Sequence, residues 1–157
     1  MIKTVFDDLI KELKRIKPET IYSRSVSTEA LDEAANANRD QLEKGILDNG
    51  QTTGGYSSAT VARNRERTTK VSASDVIKFK DTGKFHKTIK AKITRDGNLK
   101  LTSASKKAQL AQEYVDKKGL STGSVLGLTD DNLERWYNQF VQDTFKRNLL
   151  NRILYGQ

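Results

Sequence analysis

The amino-acid sequence predicts an α+β protein with N-terminal helices, a long basic loop, a central antiparallel β-hairpin or small sheet, and a long C-terminal amphipathic helix. Three observations predict this class. Apolar residues recur at helical spacing near both ends of the chain, a short alternating pattern lies near residue 90, and a tight-turn signal divides that pattern. The 157 residues suffice for a single domain with a modest core. We expect a helical part at 1–48, an extended basic loop at 49–75, and the hairpin with the closing helices at 76–157.

Two helices are predicted in the N-terminal part. Apolar residues repeat at three- and four-residue steps over 5–16. Pro18 is expected to end this first helix, because the residue before a proline disfavours helical backbone. A short linker is expected at 21–26. The second helix is expected from about Thr28 to Leu47, with Ser27 as its N-cap, and an Asn-Gly pair stops it.

The centre of the chain predicts a β-hairpin. Phe85 and Ile89 belong to an apolar pattern that is consistent with one strand, and the Asp-Gly-Asn sequence at 96–98 is typical of a tight turn. Alternating residues from Leu99 onward predict the return strand. Four lysines are expected on or near this hairpin: Lys87, Lys90, Lys92 and Lys100.

The C-terminal part predicts a short helix at 106–116 and then one long helix. Thr129 is expected to cap the long helix, and apolar residues follow it at helical spacing as far as Ile153. This helix carries the only tryptophan and two of the five phenylalanines. We therefore expect it to be the main element of the core.

The positive charge is concentrated in the middle of the chain. Residues 1–48 hold 8 basic and 10 acidic side chains, residues 49–107 hold 14 and 4, and residues 108–157 hold 6 of each. The middle segment therefore carries more than the whole net charge of +8. A basic segment of this kind favours contact with phosphate groups or with an acidic protein surface.

The composition excludes several kinds of site. The absence of cysteine excludes disulfides, thiol catalysis and cysteine-bound zinc. The only histidine, His86, excludes a multi-histidine metal site, and beside a predicted turn it is expected at the surface. We predict no catalytic, cofactor or metal site and no enzymatic activity. No run of 18 apolar residues occurs, so no membrane span is expected.

Sequence-independent nucleic-acid binding is one alternative function. The predicted loop holds closely spaced basic residues, and few aromatic side chains accompany them, which favours contact with the nucleic-acid backbone over contact with bases. The loop residues expected to contact a partner are Tyr56, Arg63, Arg65, Arg67 and Lys70.

A retroviral-type aspartic protease is the second alternative. Residues 81–83 read Asp-Thr-Gly, the active-site triplet of that class, in which two aspartates share one proton. However, Lys84 follows the glycine where that family has Ala or Ser, and the lysines that flank Asp81 hold it ionised. Two long terminal helices also have no place in that all-β fold.

Four short motifs follow one another along the chain. They are Tyr-Ser-Ser-Ala-Thr at 56–60, Asp-Thr-Gly-Lys-Phe-His-Lys-Thr-Ile at 81–89, an alanine-containing helix at 107–114, and Val-Leu-Gly-Leu-Thr-Asp-Asp-Asn-Leu at 125–133. With these motifs in this order, the chain resembles the phage virion-morphogenesis and tail-completion families of neck proteins over roughly residues 40–150. The resemblance implies structural roles for Thr82, Gly83, Phe85, Ile89 and Gly127.

The resemblance implies a structural component of the bacteriophage virion, namely a head–tail connector or tail-completion protein. Such proteins form a homo-oligomeric ring, often of six or twelve copies, between the portal or connector and the tail, and DNA passes through the ring. The implied location is the virion, and the host cytoplasm during assembly. We expect the loop at 49–75 to contact a neighbouring subunit or the connector, and the hairpin lysines to line the DNA channel or dock an acidic partner.

Overall fold

The computed structural model describes residues 10–11, 13–64, 71–79, 83–120 and 122–155. This part of the chain forms helices and one two-stranded antiparallel sheet, so the fold is α+β, as the sequence predicts. The elements are α1 (Pro18–Ser25), α2 (Thr28–Glu43), α3 (Ser58–Asn64), α4 (Lys84–Lys87), β1 (Ile89–Ile93), β2 (Leu99–Ser103), α5 (Lys106–Lys117), α6 (Asp130–Phe140) and α7 (Gln142–Tyr155).

The N-terminal helices differ from the prediction on either side of Pro18. Most of the first predicted helix lies outside the described residues, but residues 13–15 are helical and residues 16–17 are not, as expected before a proline. The prediction of a linker at 21–26 is wrong, because helix α1 runs from Pro18 to Ser25. Pro18 lies in its first turn. A proline suits that position, since the amide that it lacks would have no helical partner there.

Helix α2 begins where the sequence predicts and ends earlier. The hydroxyl of Ser27 accepts a hydrogen bond from the amide of Ala30 at 3.0 Å, which caps the helix. The helix ends at Glu43 and not at Leu47. Gly45 has a left-handed φ of 67°, and a Cβ there would lie 2.6 Å from the Cβ of Val76. The close approach of residue 76 therefore requires a glycine and ends the helix.

The segment at 49–75 is not simply an extended loop, which corrects the prediction. It contains α3, and an isolated bridge joins Gly55 to Val76. The buried hydroxyl of Thr53 donates a hydrogen bond of 2.8 Å to the carbonyl of Ile77. Both ends of the segment are therefore fixed to the rest of the protein.

The predicted hairpin is confirmed, with one correction. Strands β1 and β2 pair in a register that places Ile89 opposite Ser103 and Ile93 opposite Leu99. The turn contains Gly97 at a φ of 79°. Phe85 does not belong to the strand, because it lies in the short helix α4 that precedes β1.

The prediction of a single long C-terminal helix is wrong, because the chain bends at Val141 and forms two helices. Thr129 caps α6 as predicted, with its hydroxyl accepting from the amide of Asn132. The bend buries Val141, which is 1% exposed, beside Trp136. Helix α7 has no buried residue, so this region is not the main element of the core.

The core consists of two clusters that share helix α2. The first cluster joins α2 to α4, the hairpin and α5, and its largest fully buried side chain is Phe85. The second joins α2 to Trp136 on α6 and to Val141. None of the described helices is long and apolar enough to cross a membrane.

Candidate functional site

The outer face of the hairpin carries three exposed lysines. Lys92 and Lys100 lie directly opposite each other, and Lys90 lies opposite Thr102 on the same face. Like charges in directly opposite positions destabilise a sheet. The charge on this face therefore does not serve the stability of the hairpin. We call Lys90, Lys92 and Lys100 the basic hairpin face.

The direction of the basic hairpin face is fixed by the residues between the lysines. Ile89 is fully buried, Leu101 is 8% exposed, and both belong to the cluster around α2. Because side chains alternate along a strand, the lysines must point away from that cluster. Lys87 is also exposed, but it lies at the end of α4, two residues before the strand begins.

Three of the residues to which the resemblance gives structural roles, Gly83, Phe85 and Ile89, lie at the start of the hairpin. Gly83 has a φ of 71° and stands at the N-cap of α4, while Phe85 is 2% exposed and Ile89 is fully buried. Thr82 lies outside the described residues. The positions that are described serve the fold, and they set the place from which the hairpin extends.

Arg39 on α2 holds this start in place. Its Nε donates to the carbonyl of His86 at 2.9 Å, and its Nη2 donates to the carbonyl of Ile89 at 2.7 Å. Nothing near Arg39 in the sequence indicates this role, because the two carbonyls lie 47 and 50 residues further along the chain. His86 itself is buried, not at the surface as expected, and its Nε2 lies 2.9 Å from the carbonyl of Lys78.

Gly127 lies in a segment that side-chain amides of α2 hold. The buried Nδ2 of Asn38 donates to the carbonyls of Gly127 at 2.7 Å and of Val125 at 3.2 Å, and Nε2 of Gln41 also donates to Gly127, at 3.1 Å. A Cβ on Gly127 would lie 2.5 Å from the Cβ of Asp48. Its structural role therefore has a steric reason.

The same glutamine fixes the beginning of α6. The Oε1 of Gln41 accepts from the amide of Thr129 and from Nδ2 of Asn132, each at 3.0 Å. On the opposite side, Oε1 of Gln112 on α5 accepts from the amide of Val125 at 3.1 Å. These bonds hold α6 at a defined position beside α2.

An acidic groove of about 950 Å³ opens between α2 and α6. Five carboxylates and two basic side chains line it, which leaves three negative charges. The carboxylates are Glu33, Asp40, Asp48, Asp130 and Asp131, and the basic side chains are Lys44 and Arg135. We call this surface the acidic groove. No pattern in the sequence indicates the acidic groove, because its two walls are about 90 residues apart in the chain.

The structure describes only part of the loop that was expected to contact a partner. Tyr56 is half-buried, and the backbone of Arg63 lies in α3. The side chain of Arg63 and the whole of Arg65, Arg67 and Lys70 lie outside the described residues. The predicted loop surface and the basic hairpin face are therefore not brought together by any described contact.

The aspartic-protease triplet is described only at its glycine. Asp81 and Thr82 lie outside the described residues, and Gly83 leads directly into helix α4. The α+β fold differs from the all-β fold of retroviral-type proteases. Among the described residues, no group of three or more His, Cys, Asp or Glu side chains could hold a metal ion.

The phenol of Tyr22 on α1 has a perturbed pKa. Burial raises the pKa of the Tyr22 phenol above its ordinary value of 10.0, and the neighbouring phenol of Tyr137 raises it further. The two rings stack with centroids 6.4 Å apart. This aromatic contact joins α1 to α6.

The comparisons with known proteins found no similarity: the chain matches no protein-family model, no curated protein and no solved structure. A function for this chain therefore has to be argued from its own residues and their geometry. The two surfaces that supply such an argument are the basic hairpin face and the acidic groove.

Proposed function

We propose that the chain is a structural component of a bacteriophage virion, a head–tail connector or tail-completion protein that forms an oligomeric ring through which DNA passes. The proposal assigns it no catalytic role and no cofactor. Its partners are further copies of the chain, the portal or connector, and tail proteins. It acts in the virion and, during assembly, in the host cytoplasm.

The observation that carries this proposal is the order of the four motifs together with the elements on which they lie. The motif at 56–60 leads into α3, and the one at 81–89 leads through α4 into the hairpin. The motif at 107–114 lies on α5, and the one at 125–133 covers the junction before α6 and the first turn of that helix. The neck-protein resemblance implies this succession of a loop, a hairpin, a short helix and a closing helix.

The charged surfaces supply further support. An assembly protein has to contact partners through surfaces that its own core does not use, and the basic hairpin face is exposed on a rigid two-stranded sheet. The helices pack on the other side of that sheet. This arrangement suits a protein that works by contact.

Deletion of the gene from its phage, followed by electron microscopy of the lysate, tests the proposal. Full heads with separate tails, or heads that have lost their DNA, place the protein at the head–tail junction. Intact infectious particles contradict the proposal. A plasmid-borne copy of the gene is the control, because it has to restore joined particles.

The basic loop is tested by the double substitution Arg63→Glu and Arg65→Glu in the same complementation assay. We expect head–tail joining to fail, because the substitutions reverse the charge of a surface that meets a neighbouring subunit or the connector. The purified variant should unfold at an unchanged denaturant concentration. Lys146→Glu on α7, an exposed charge reversal elsewhere, is the matched control. Normal virions from the double variant would contradict a role of the loop in joining.

Sequence-independent nucleic-acid binding is the second candidate, and the exposed basic hairpin face favours it. Each lysine of the basic hairpin face can contact one phosphate, which makes three contacts. With three contacts, the logarithm of the affinity for duplex DNA should fall with the logarithm of the salt concentration at a slope of about −2.7. Binding measured by fluorescence anisotropy at several salt concentrations gives this slope directly. A slope near zero, or affinity unchanged by Lys92→Glu, excludes binding through this face.

A further inference from the structure

The basic hairpin face and the acidic groove lie on opposite sides of α2. Leu42 packs in the cluster that contains the hairpin, whereas Asp40 lines the groove. Residues two apart on an α-helix point about 200° apart around its axis. Asp40 therefore points nearly opposite to the hairpin, and so does the groove that it lines.

The positions of neighbouring residues on α2 agree with this geometry. Arg39 reaches the carbonyls at the start of the hairpin, while Glu33 and Asn36 line the groove. The α6 wall of the groove is fixed by Gln41. The α2 wall of the groove therefore faces away from the hairpin, whereas at the edge of the groove Asp48 lines a neighbouring cavity together with Lys100.

The two surfaces are complementary in charge. The hairpin presents three exposed lysines from a sheet that has no other strand in the described part of the chain. The groove presents a net of three negative charges. Long lysine side chains can extend from a sheet face into a groove while their methylene stems contact apolar residues, such as the half-buried Phe140 at its edge.

We propose that the basic hairpin face of one copy docks in the acidic groove of a second copy of this chain. The contact is heterologous, because it joins two different surfaces of the chain. Repetition of such a contact produces a closed ring, or a filament where the rotation does not close. This proposal rests on the proposed function and names the surfaces through which the ring forms.

Charge reversal on each surface tests the contact. The hairpin variant carries Lys92→Glu and Lys100→Glu, which keeps a like-charged pair across the strands and so leaves the stability of the hairpin comparable. The groove variant carries Glu33→Lys and Asp40→Lys. Sedimentation velocity at low ionic strength measures association. We expect each variant alone to associate at least about tenfold more weakly than the unaltered chain, because like charges then face each other.

The combined variant, which carries all four substitutions, provides the decisive result. Its hairpin is acidic and its groove is basic, so we expect association to return. An equimolar mixture of the hairpin variant and the groove variant should also associate, since each supplies the surface that the other can bind. Lys146→Glu and Asp143→Lys, exposed reversals on α7, are the matched controls and should leave association unchanged.

Disulfide trapping tests the same contact by distance. The chain has no cysteine, so a variant with Lys100→Cys and Asp40→Cys contains only the two introduced thiols. Oxidation should give covalent dimers and longer chains of copies, because a disulfide requires Cα atoms within about 7 Å. The control pair Lys100→Cys and Asp143→Cys should stay monomeric.

Several results would overturn the inference. They are an unaltered chain that stays monomeric at every concentration, association that survives both reversals, and failure of the combined variant to recover. Loss of duplex DNA binding by the hairpin variant with unchanged association would assign the lysines to DNA instead. All of these leave the virion role to be decided by the gene deletion, so failure of the docking contact and failure of the proposed function are separate outcomes.

Discussion

Asn38 and Gln41 connect α2 to a part of the chain almost 90 residues away. Asn38 is fully buried and both of its Nδ2 hydrogen bonds go to backbone carbonyls, those of Val125 and Gly127. Among the described residues, its Oδ1 has no hydrogen-bond partner. The orientation of this amide is therefore set by its two donated bonds.

The substitution Asn38→Asp tests this connection with almost no change of shape. It replaces two donors with a carboxylate that faces two carbonyls, and we expect the free energy of unfolding to fall by about 3 kcal/mol at pH 7. Stability should partly return below pH 5, because a protonated carboxyl can donate one of the bonds. Urea unfolding at both pH values measures this, and Asn138→Asp on the exposed side of α6 is the control. Equal stability of the two variants would contradict the role of Asn38.

The raised pKa of Tyr22 predicts a loss of folding stability at alkaline pH. The pKa of its phenol is raised by burial and by Tyr137, so the folded chain retains this proton at pH values where the unfolded chain has lost it. The resulting stability is fully present below pH 10 and is lost as pH rises through the higher folded-state pKa. Tyr22→Phe should therefore lose less stability between pH 9 and about 11 than the unaltered chain.

Urea unfolding across this range measures the difference. Tyr155→Phe is the control, since that side chain is 70% exposed and should leave the pH dependence unchanged. A Tyr22→Phe variant with the same alkaline slope as the unaltered chain would show that Tyr22 does not cause it.

The residues whose roles could be predicted are those with a signal in the neighbouring sequence. The caps at Ser27 and Thr129 follow from a single residue type beside a helix, and both are confirmed. Arg39 and Asn38 act on carbonyls 47 to 89 residues away, so nothing near them in sequence indicates their roles. The burial of His86 was not predicted, because His86 was expected beside a turn at the surface and instead lies in the short helix α4.

Helix ends show the limit of prediction at the scale of elements. The start of the return strand at Leu99 and the bounds of α5 were predicted almost to the residue, because alternation and helical spacing are local. The end of α2 and the bend at Val141 were not, because both depend on tertiary contacts. At Gly45 the contact is the side chain of Val76, and at Val141 it is burial beside Trp136.

Two glycine substitutions separate the free-energy cost of an alanine at positive φ from the added cost of the close contact with Val76 at the end of α2. Gly45→Ala and Gly54→Ala both place an alanine at positive φ, of 67° and 75°. Only the Gly45 position is crowded, with atoms of Val76 at 2.6 and 2.7 Å, whereas Gly54 has nothing within 4 Å. We expect Gly54→Ala to cost about 1–2 kcal/mol and Gly45→Ala to cost about 1–3 kcal/mol more. Denaturant unfolding measures both, and equal costs would mean that the contact with Val76 does not determine the helix end.

At the scale of the whole molecule, the sequence predicted how charge is divided along the chain, but not how folding arranges it. The basic middle segment was visible from counts of residues. Of the four lysines expected on or near the hairpin, Lys90, Lys92 and Lys100 share one face, whereas Lys87 lies in α4. The acidic groove was not visible, because it combines residues of two near-neutral helical regions that become neighbours only in the folded chain. The opposed surfaces are the feature of the fold that best suits repeated association.

The most direct test of the virion role is cryo-electron microscopy of purified phage particles, focused on the head–tail junction. The proposed function predicts a closed ring of copies of this chain between the portal and the tail, with DNA on its axis. If the basic hairpin face docks as proposed, each hairpin will lie in the α2–α6 groove of its neighbour. Purified infectious particles that lack the chain at this junction would contradict the central claim.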